Sequence, residues 1–508
     1  MAPYATLAPD DPFAASKGMF SDLACELAAP AAAGLTADEA EELVDERGRE
    51  VLRQLLEDHF ALRAVREEQQ APAPGTPVTG TDQIARTRLE TGHGRALATV
   101  FGTVPVTRCA WRKPGAPNYC PADAALSLPA GRHSHSLAKL ACLEAVRGSY
   151  DGACAAVTRR CGKVMGKRQL QESVVHSAAG IPAFYAARAP EPCTAGTLLI
   201  LSSDSKGVVM RPGALRAATA KAAAKLGKMR TRLSAGEKPN RKRMATLVTV
   251  YDAVPAWRRP HDVIAPPGGR AGARPLRPGP KALAKWLAGS VRDEPAGMIA
   301  AMFDEAEARD PLHLRTWVVL VDGADHQLGL IRAEAARRGV TIHVVIDIIH
   351  VLEYIWGATW SFHQAGDAAA EDWVAEKALA VLSGGSDRAA AAITAEADAF
   401  GLEDSKRSGA GACVRYLGNK REFLRYDQAL NAGWPIATGV IEGACRHLIA
   451  DRLSLGGARW GLDGAEAVLA LRAVIANGDF EEYWRYHLEC EHQRLYPGVD
   501  KGQYTLGA

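Results

Sequence analysis

This sequence of 508 residues lacks the features that identify several common classes of protein. Its ten cysteines include no Cys-x-x-Cys pair, so it has no zinc-finger or zinc-ribbon motif. It has neither the basic start and apolar core of a signal peptide nor an apolar run of the ~20 residues that a membrane helix needs. We therefore expect a cytoplasmic protein with reduced thiols and no membrane partner.

The chain has little net charge, but its charges are unevenly distributed. The formal net charge is +3, which by itself says little about binding partners. Residues 206–243 contain twelve lysines or arginines and a single acid, whereas residues 361–412 contain nine acids and four bases. This uneven distribution predicts one surface that faces an anion and another that faces solvent.

The N-terminal part has the pattern of a helical region with a small β element. Residues 35–70 carry apolar side chains at helical spacing, and residues 82–112 change to the pattern of two or three short antiparallel strands. Three short helices are predicted at 137–147, 151–160 and 167–179. This layout is typical of a helix-turn-helix unit whose last helix lies in a DNA major groove, but an ordinary three-helix bundle has the same pattern.

The second half of the chain has short apolar runs that alternate with helices, which predicts an α/β domain with a mostly parallel sheet. Strands are predicted at 197–201, 316–321 and 341–346, and a fourth at 245–251 should pair beside the first. The acidic stretch that follows predicts two or three helices inserted into this domain.

Each of three apolar runs is followed by an aspartate: Asp204, Asp322 or Asp347. The carboxyl ends of neighbouring parallel strands meet at one edge of a sheet, so these side chains should lie close together. Two carboxylates about 4 Å apart repel by roughly 4 kcal/mol at an effective dielectric near 20, so such a cluster favours a bound cation, Mg²⁺ first. Each aspartate also has a local structural interpretation, as a turn residue or, for Asp347, as a helix cap.

A fourth acid, Glu442, lies on a predicted helix whose apolar face would pack against the sheet. Arg446 lies one turn further along the same flank of that helix. A structural salt bridge between the two side chains is therefore the alternative to a catalytic role for Glu442.

The motifs around these acids resemble the Asp-Asp-Glu transposases of insertion sequences, in particular the ISKra family. The acid motifs are Asp204-Ser-Lys-Gly, Val321-Asp-Gly, Asp347-x-x-His350 and Gly439-Val-Ile-Glu-Gly-Ala-x-Arg. Further similar segments are Pro121-Ala-Asp-Ala-Ala-Leu, Arg132-His-Ser-His, Gly166-Lys-Arg-Gln and Gly457-Ala-Arg-Trp-Gly. The likeness spans roughly residues 80–490, and Ser205 departs from it because the pattern has glycine there.

The resemblance implies a multidomain α/β protein with a ribonuclease-H-like catalytic core, an all-α insertion and an N-terminal DNA-binding region. It implies that Asp204, Asp322 and Glu442 hold two Mg²⁺ ions, for which Mn²⁺ can substitute, and carry out strand cleavage and strand transfer. The residues expected to orient these metal ligands are Asp347, His350 and Arg446.

The predicted function is that of a DNA transposase of a bacterial insertion sequence, acting on terminal inverted repeats and target DNA in the nucleoid as at least a dimer. The candidate contacts to double-stranded DNA are Lys163, Lys167, Arg168, Lys206, Arg241, Lys242, Arg243 and Trp434. The predicted segments are a helical N-terminus (1–75), a small β element (82–118), a helix-turn-helix-like region (119–190), the first part of the core (193–360), the helical insertion (361–430) and the last part of the core with C-terminal helices (431–508). The alternatives are a transposase remnant that regulates by binding DNA without catalysis, and an Mg²⁺-dependent phosphohydrolase on a doubly wound sheet.

Overall fold

The computed structural model describes residues 11–73, 75–189, 196–225, 241–269 and 275–499. These residues form two compact units. The first contains the described residues up to Phe184 and from Phe480 onward, and the second runs from Tyr185 to Asp479. None of the described helices has the length and apolar composition that a membrane crossing requires, and none of the described cysteines forms a disulfide. The middle of the basic run, residues 226–240, lies outside the described residues.

The secondary structure is mostly helical, with one larger sheet. The strands are β1 (Val78–Thr79), β2 (Ala85–Arg86), β3 (Arg88–Thr99), β4 (Gly102–Arg112), β5 (Leu198–Met210), β6 (Arg241–Ala253), β7 (Ala282–Ser290), β8 (Trp317–Val321) and β9 (Ile342–Ile346). The helices are α1 (Ala14–Ala28), α2 (Ala37–Gln70), α3 (Pro121–Ala125), α4 (His135–Arg147), α5 (Tyr150–Cys161), α6 (Lys167–Ala178), α7 (Ile181–Ala187), α8 (Ala217–Ala224), α9 (Pro260–Val263), α10 (Pro295–Arg309), α11 (Asp325–Arg338), α12 (Ile348–Thr359), α13 (Ala369–Leu382), α14 (Ser386–Ala399), α15 (Asp404–Lys420), α16 (Tyr426–Asn431), α17 (Gly439–Ala444), α18 (Asp451–Leu453), α19 (Leu462–Asn477) and α20 (Phe480–Leu495).

In the first unit a long helix packs against a β-hairpin. Helix α2 confirms the helix predicted over residues 35–70, and it begins with a capping box in which the Thr36 N–H donates to the Glu39 carboxylate at 2.8 Å. Strands β3 and β4 pair antiparallel as predicted, although they are longer than expected, with 12 and 11 residues. Phe60 of α2 packs against the buried hairpin residues Leu97 and Val104. The small β element is therefore stabilised by the long helix.

The three short helices of the first unit also form where the sequence predicts them. Ser134 and Ser149 cap α4 and α5 by accepting N–H bonds at 3.2 and 3.0 Å. Helix α6 buries Leu170 and Val174 completely, and its opposite face is exposed. These positions are compatible with both interpretations, a helix-turn-helix and a plain bundle.

The second unit is built on a mixed five-stranded sheet with the order β7-β6-β5-β8-β9. Strands β5, β8 and β9 are parallel, whereas β6 and β7 run antiparallel to their neighbours. The prediction of a mostly parallel sheet is therefore wrong, while the predicted pairing of the 245–251 strand with the first strand is confirmed. The sheet is mixed because β6 pairs antiparallel with the whole of β5, and β7, which the sequence does not predict, adds a further antiparallel strand.

The core of the second unit lies around the central strands. All five residues of β8 are buried, as expected for a strand covered on both faces. Phe303 of α10, Ile331 of α11 and Val351 of α12 belong to the same apolar core. This packing fixes the strands whose ends carry the candidate acids.

The acidic stretch after α12 forms helices, as predicted: α13, α14 and α15. The chain then returns to the end of β9. The Tyr426 hydroxyl donates to the Ile346 carbonyl at 2.7 Å, and the Ile348 N–H donates to the Ile436 carbonyl at 2.9 Å. These two bonds bring α17, which carries Glu442, next to the carboxyl ends of the parallel strands.

Candidate active site

The parallel pairing of β5 with β8 aligns Asp204 with Asp322. The register runs from Leu199 opposite Trp317 to Ser202 opposite Leu320. Asp204 is two residues beyond Ser202, and Asp322 is two residues beyond Leu320. Because adjacent strands lie about 4.8 Å apart, the two aspartates occupy neighbouring positions across the sheet.

The pairing of β8 with β9 adds Asp347 to the same row. The last pair of this register is Val321 with Ile346, so Asp322 and Asp347 are the next residues on the two strands. The Asp347 N–H donates to the Val321 carbonyl at 2.8 Å, which extends the ladder to that position. We call Asp204, Asp322 and Asp347 the acid row.

Asp204 does not lie at the end of a strand, contrary to the sequence prediction. Strand β6 pairs with β5 along its whole length, and Asp204 lies opposite Leu247 in the middle of this antiparallel pair. One carboxylate oxygen accepts the Ser205 N–H at 2.6 Å, and the other accepts the Cys445 thiol at 3.1 Å. The first acid is therefore held by a continuous strand on one side and by the helix after Glu442 on the other.

Asp347 is the most deeply buried member of the acid row, with 2% of its surface exposed. One carboxylate oxygen accepts the Ile349 N–H at 2.8 Å, so Asp347 caps α12, as the sequence predicts. The other oxygen accepts the N–H of Thr438 at 3.2 Å and also its hydroxyl. Asp347 therefore ties the end of β9 to the segment that leads into α17.

Thr438 also holds Glu442. The Thr438 hydroxyl lies 2.9 Å from a Glu442 carboxylate oxygen, one turn further along the chain. Burial raises the pKa of Glu442, the Thr438 bond opposes that shift, and the carboxylates of Asp347 and Asp204 raise the pKa further. The fourth acid therefore lies within the electrostatic reach of two members of the acid row.

Asp322 is exposed and is set by the tight turn after β8. Its carboxylate accepts the Ala324 N–H at 2.9 Å, and its carbonyl accepts the Tyr416 hydroxyl at 3.3 Å. Gly323 has a φ of +93°, and a Cβ there would lie 2.9 Å from an Ile346 methyl and 3.2 Å from the Tyr416 oxygen. Only glycine meets both the conformation and the space that this turn requires.

Two cationic side chains, Lys206 and Arg446, follow Asp204 and Glu442 closely in the sequence. Lys206 and Arg446 are both exposed, and within the part of the chain that the structure describes neither has an ion-pair partner. The alternative interpretation of Glu442 and Arg446 as a salt bridge is therefore wrong for these residues. The reason is local, because the helix passes through a π-helical turn, Cys445–Ala450, immediately after α17 and loses the ordinary spacing of four residues. Both cations are free to meet a phosphate.

The other basic candidates of the second unit lie on β6. Arg243 is engaged within the protein, because its guanidinium donates to the carbonyls of Val291 at 2.6 Å and Arg292 at 3.0 Å. Lys242 is exposed, and Arg241 is half-buried at the start of the strand. Arg243 therefore has a structural role, which the basic run in the sequence does not reveal.

The three candidates of the first unit lie on and before α6. Lys163 is exposed. Lys167 pairs with Asp151 at 2.7 Å. Arg168 pairs with Glu172 at 2.9 Å while its side chain remains 90% exposed. Exposed pairs of this kind contribute little to stability, so these cations remain available for exchange with a phosphate.

Trp434 and His350 lie at different distances from the acids. The Trp434 ring packs 4.6 Å from that of His343, which is four residues before Asp347 on β9 and therefore roughly 13 Å away along the strand. Trp434 is thus remote from the acid row. His350 is one turn into α12, where its Nδ1 lies 3.2 Å from a Glu353 oxygen, and none of its described contacts is with Asp347.

The donor set matches a hard divalent cation, because it consists of carboxylate oxygens with an excess of negative charge. Among the described residues, however, no group of three His, Cys, Asp or Glu side chains is arranged to hold a metal ion. Both carboxylate oxygens of Asp347 accept hydrogen bonds, one from the Ile349 N–H and the other from Thr438. Both carboxylate oxygens of Asp204 also accept hydrogen bonds, from Ser205 and from Cys445. The acids therefore fit Mg²⁺ in kind, and binding requires rotation of one or more side chains.

The sequence does not predict a site role for three residues: Thr438, Cys445 and Tyr416. Thr438 immediately precedes the motif around Glu442 and Cys445 occupies its variable position, so their closeness to Glu442 in the sequence is the signal that could identify them. Tyr416 gives no signal, because it reaches Asp322 only through the packing of α15. No protein-family model matches this chain, and no curated protein matches it either.

Proposed function

We propose that this protein is a DNA transposase that cleaves and joins DNA strands with Asp204, Asp322 and Glu442. The observation that carries the proposal is the register of β5, β8 and β9, which aligns three aspartates in one row, together with the return of α17 to the same edge. A row of acids that share one edge is costly for folding and suits a site that binds cations and phosphates.

The fold supports a ribonuclease-H-like core. In the mixed sheet the first acid lies on the central strand β5, the next two follow β8 and β9, and a block of helices separates them from Glu442. This arrangement agrees with the helical insertion expected between the Asp347 strand and the Glu442 helix. The competing phosphohydrolase proposal assumes a doubly wound parallel sheet, from which the antiparallel β6 and β7 depart.

Two Mg²⁺ ions, or Mn²⁺ in their place, would activate the attacking oxygen and stabilise the leaving oxygen of the phosphodiester. Asp204, Asp322 and Glu442 would hold them. Thr438 keeps the Glu442 carboxylate next to the acid row before binding. Lys206 and Arg446 would neutralise the phosphates on either side of the scissile bond, so binding should weaken steeply with salt.

Double-stranded DNA is the proposed partner, with the exposed face of α6 as the contact of the first unit. Lys163, Lys167 and Arg168 would meet the phosphates or the bases of the terminal repeats. Strand transfer at two element ends requires two active sites, so we propose at least a dimer on DNA, bound to the nucleoid of a bacterial cell.

The test is a strand-cleavage assay on the DNA that flanks the gene, in Mg²⁺ or Mn²⁺. Asp204→Asn or Asp322→Asn should abolish cleavage and leave binding of the same DNA unchanged. Asp325→Asn is the matched control, because Asp325 is three residues beyond Asp322, is exposed and pairs with Lys420. Cleavage that survives both acid variants would refute the assignment, and loss of binding together with cleavage would indicate a folding role.

A further inference from the structure

A cluster of aromatic rings adjoins the acid row. The rings of Tyr354 and Tyr416 are stacked, with centroids 3.9 Å apart and planes within 13°. His350 meets both edge-on, at 5.6 Å from Tyr354 and 5.9 Å from Tyr416. We call His350, Tyr354 and Tyr416 the aromatic ledge.

The ledge is attached directly to the acids. Tyr416 comes from α15 of the inserted helices, and its hydroxyl donates to the carbonyl of Asp322. His350 and Tyr354 belong to α12, the helix that Asp347 caps. Tyr354 is seven residues beyond Asp347, which is roughly 10 Å along a helix. The ledge therefore extends away from the acid row by about the length of two helical turns.

The ledge differs from a tyrosine of the core. Tyr426 is fully buried, and its hydroxyl donates to the Ile346 carbonyl at 2.7 Å, as a structural tyrosine should. Tyr354 and Tyr416 are only half-buried. The Tyr354 hydroxyl has no hydrogen-bond partner among the described residues and is not enclosed by the protein. The three side chains of the ledge are therefore partly accessible to a ligand.

We propose that the aromatic ledge binds an unpaired nucleobase of the DNA strand that lies in the acid row. Stacking is the chemistry that these residues offer, since every base has a face that packs on an aromatic ring whatever the sequence. Lys206 and Arg446, two residues beyond Asp204 and four beyond Glu442, would meet the phosphates of the same strand. This inference rests on the proposed function and specifies its substrate: a strand with at least one unstacked nucleotide beside the scissile phosphate.

The test uses the full-length protein and a short single-stranded DNA oligonucleotide that contains 2-aminopurine, whose fluorescence falls when the base stacks. It is done in EDTA, so the result does not depend on cleavage. Tyr354→Ala and Tyr416→Ala should weaken binding by about five-fold to 150-fold, the range for loss of one stacked base, and should reduce the quenching. Tyr354→Phe and Tyr416→Phe keep the rings and should bind and quench as the unmodified protein does.

Trp360→Ala is the matched control. Trp360 is a half-exposed aromatic residue on the same chain segment as α12, 13 residues beyond Asp347 and therefore roughly 20 Å from the acid row. Its loss should leave both signals unchanged. Thermal melting checks that each variant folds, and Tyr354→Leu, which keeps bulk without a ring, replaces Tyr354→Ala if the latter unfolds.

The outcomes separate this proposal from the proposed function. Unchanged affinity and quenching in Tyr354→Leu and Tyr416→Ala would refute the ledge, even where the protein cleaves DNA through its acids. Loss of quenching in these variants, with normal quenching in Trp360→Ala, would support the ledge even where no cleavage is observed. Equal loss in Tyr416→Phe and Tyr416→Ala would overturn it as well, because the hydroxyl bond to Asp322 would then be the cause.

Discussion

Thr438→Val is the most direct test of how the site is held together. The substitution keeps the branched shape of the side chain and removes the hydroxyl that contacts both Asp347 and Glu442. Thr438 and Asp347 are 6% and 2% exposed, so water cannot replace the lost donor. We expect a less stable second unit and a Glu442 side chain that is no longer fixed beside the acid row.

The size of the effect follows from the contacts that remain. Asp347 keeps two backbone donors, the N–H groups of Ile349 and Thr438, so it loses one bond of three. A hydrogen bond to a charged group contributes about 1.5–3 kcal/mol. We therefore expect the free energy of unfolding to fall by about 2 kcal/mol, which is roughly thirty-fold in the folding equilibrium.

Denaturant unfolding followed by tryptophan fluorescence measures this change, because eight of the ten tryptophans lie in the second unit. Thr438→Ser restores the hydroxyl and should recover most of the stability. Thr394→Val is a matched control, since Thr394 donates only to the neutral Ala390 carbonyl within α14, at 2.9 Å. Its loss should cost about 1 kcal/mol or less. If Thr438→Val were as stable as the unmodified protein, the hydroxyl would not be what ties Asp347 to α17.

Three further predictions concern other parts of the fold. Gly323→Ala should destabilise the second unit by about 1–3 kcal/mol, because the φ of Gly323 is positive and the new Cβ would lie against the Tyr416 hydroxyl. Gly329→Ala in α11 is the control and should have no such cost, because a Cβ there meets no other atom within 4 Å. Arg315→Ala should cost about 3 kcal/mol, because it leaves Asp252, 2.7 Å away, as a buried carboxylate with one fewer partner; calorimetry of the variant would measure it. Burial lowers the pKa of His487 from its ordinary value of 6.5 to about 4. The folded protein should therefore lose up to about 3 kcal/mol of stability as the pH falls from about 6.5 to about 4, because protons then bind more tightly to His487 in the unfolded chain. His487→Phe should flatten the pH dependence of unfolding in that window, and an unchanged profile would show that another group is responsible.

The acid sites illustrate how far the sequence predicts the structure. The run before Asp322 is fully apolar, the run before Asp347 is apolar except for His343, and both end abruptly, so both the strands and their neighbouring positions could be predicted. The run before Asp204 is apolar as far as Leu201, but that strand continues to Met210 because β6 pairs with it, and pairing partners are not visible in a local pattern. The same limit hid Thr438, whose importance depends on a contact with Asp347, 91 residues earlier.

The sequence does not predict strand β7, for a different reason. Its sequence, Ala-Leu-Ala-Lys-Trp-Leu-Ala-Gly-Ser, contains no β-branched residue and favours a helix by intrinsic propensity. The free edge of β6 overrides that preference by offering a ladder of hydrogen bonds. Gly289 helps, because a Cβ there would lie 2.1 Å from a Leu247 methyl, so only glycine allows the two strands to approach.

The π-helical turn Cys445–Ala450 has a consequence for how this site could have changed during evolution. A π turn is an α-helix that has taken in one extra residue, and each residue advances a helix by about 100°. The extra residue turns the later side chains of that helix relative to Glu442, and the turn begins at Cys445, the residue that contacts Asp204. Removal of a single residue between 446 and 450 would restore a regular helix and exchange the set of side chains that face the acids. One codon therefore separates two different surroundings for Glu442.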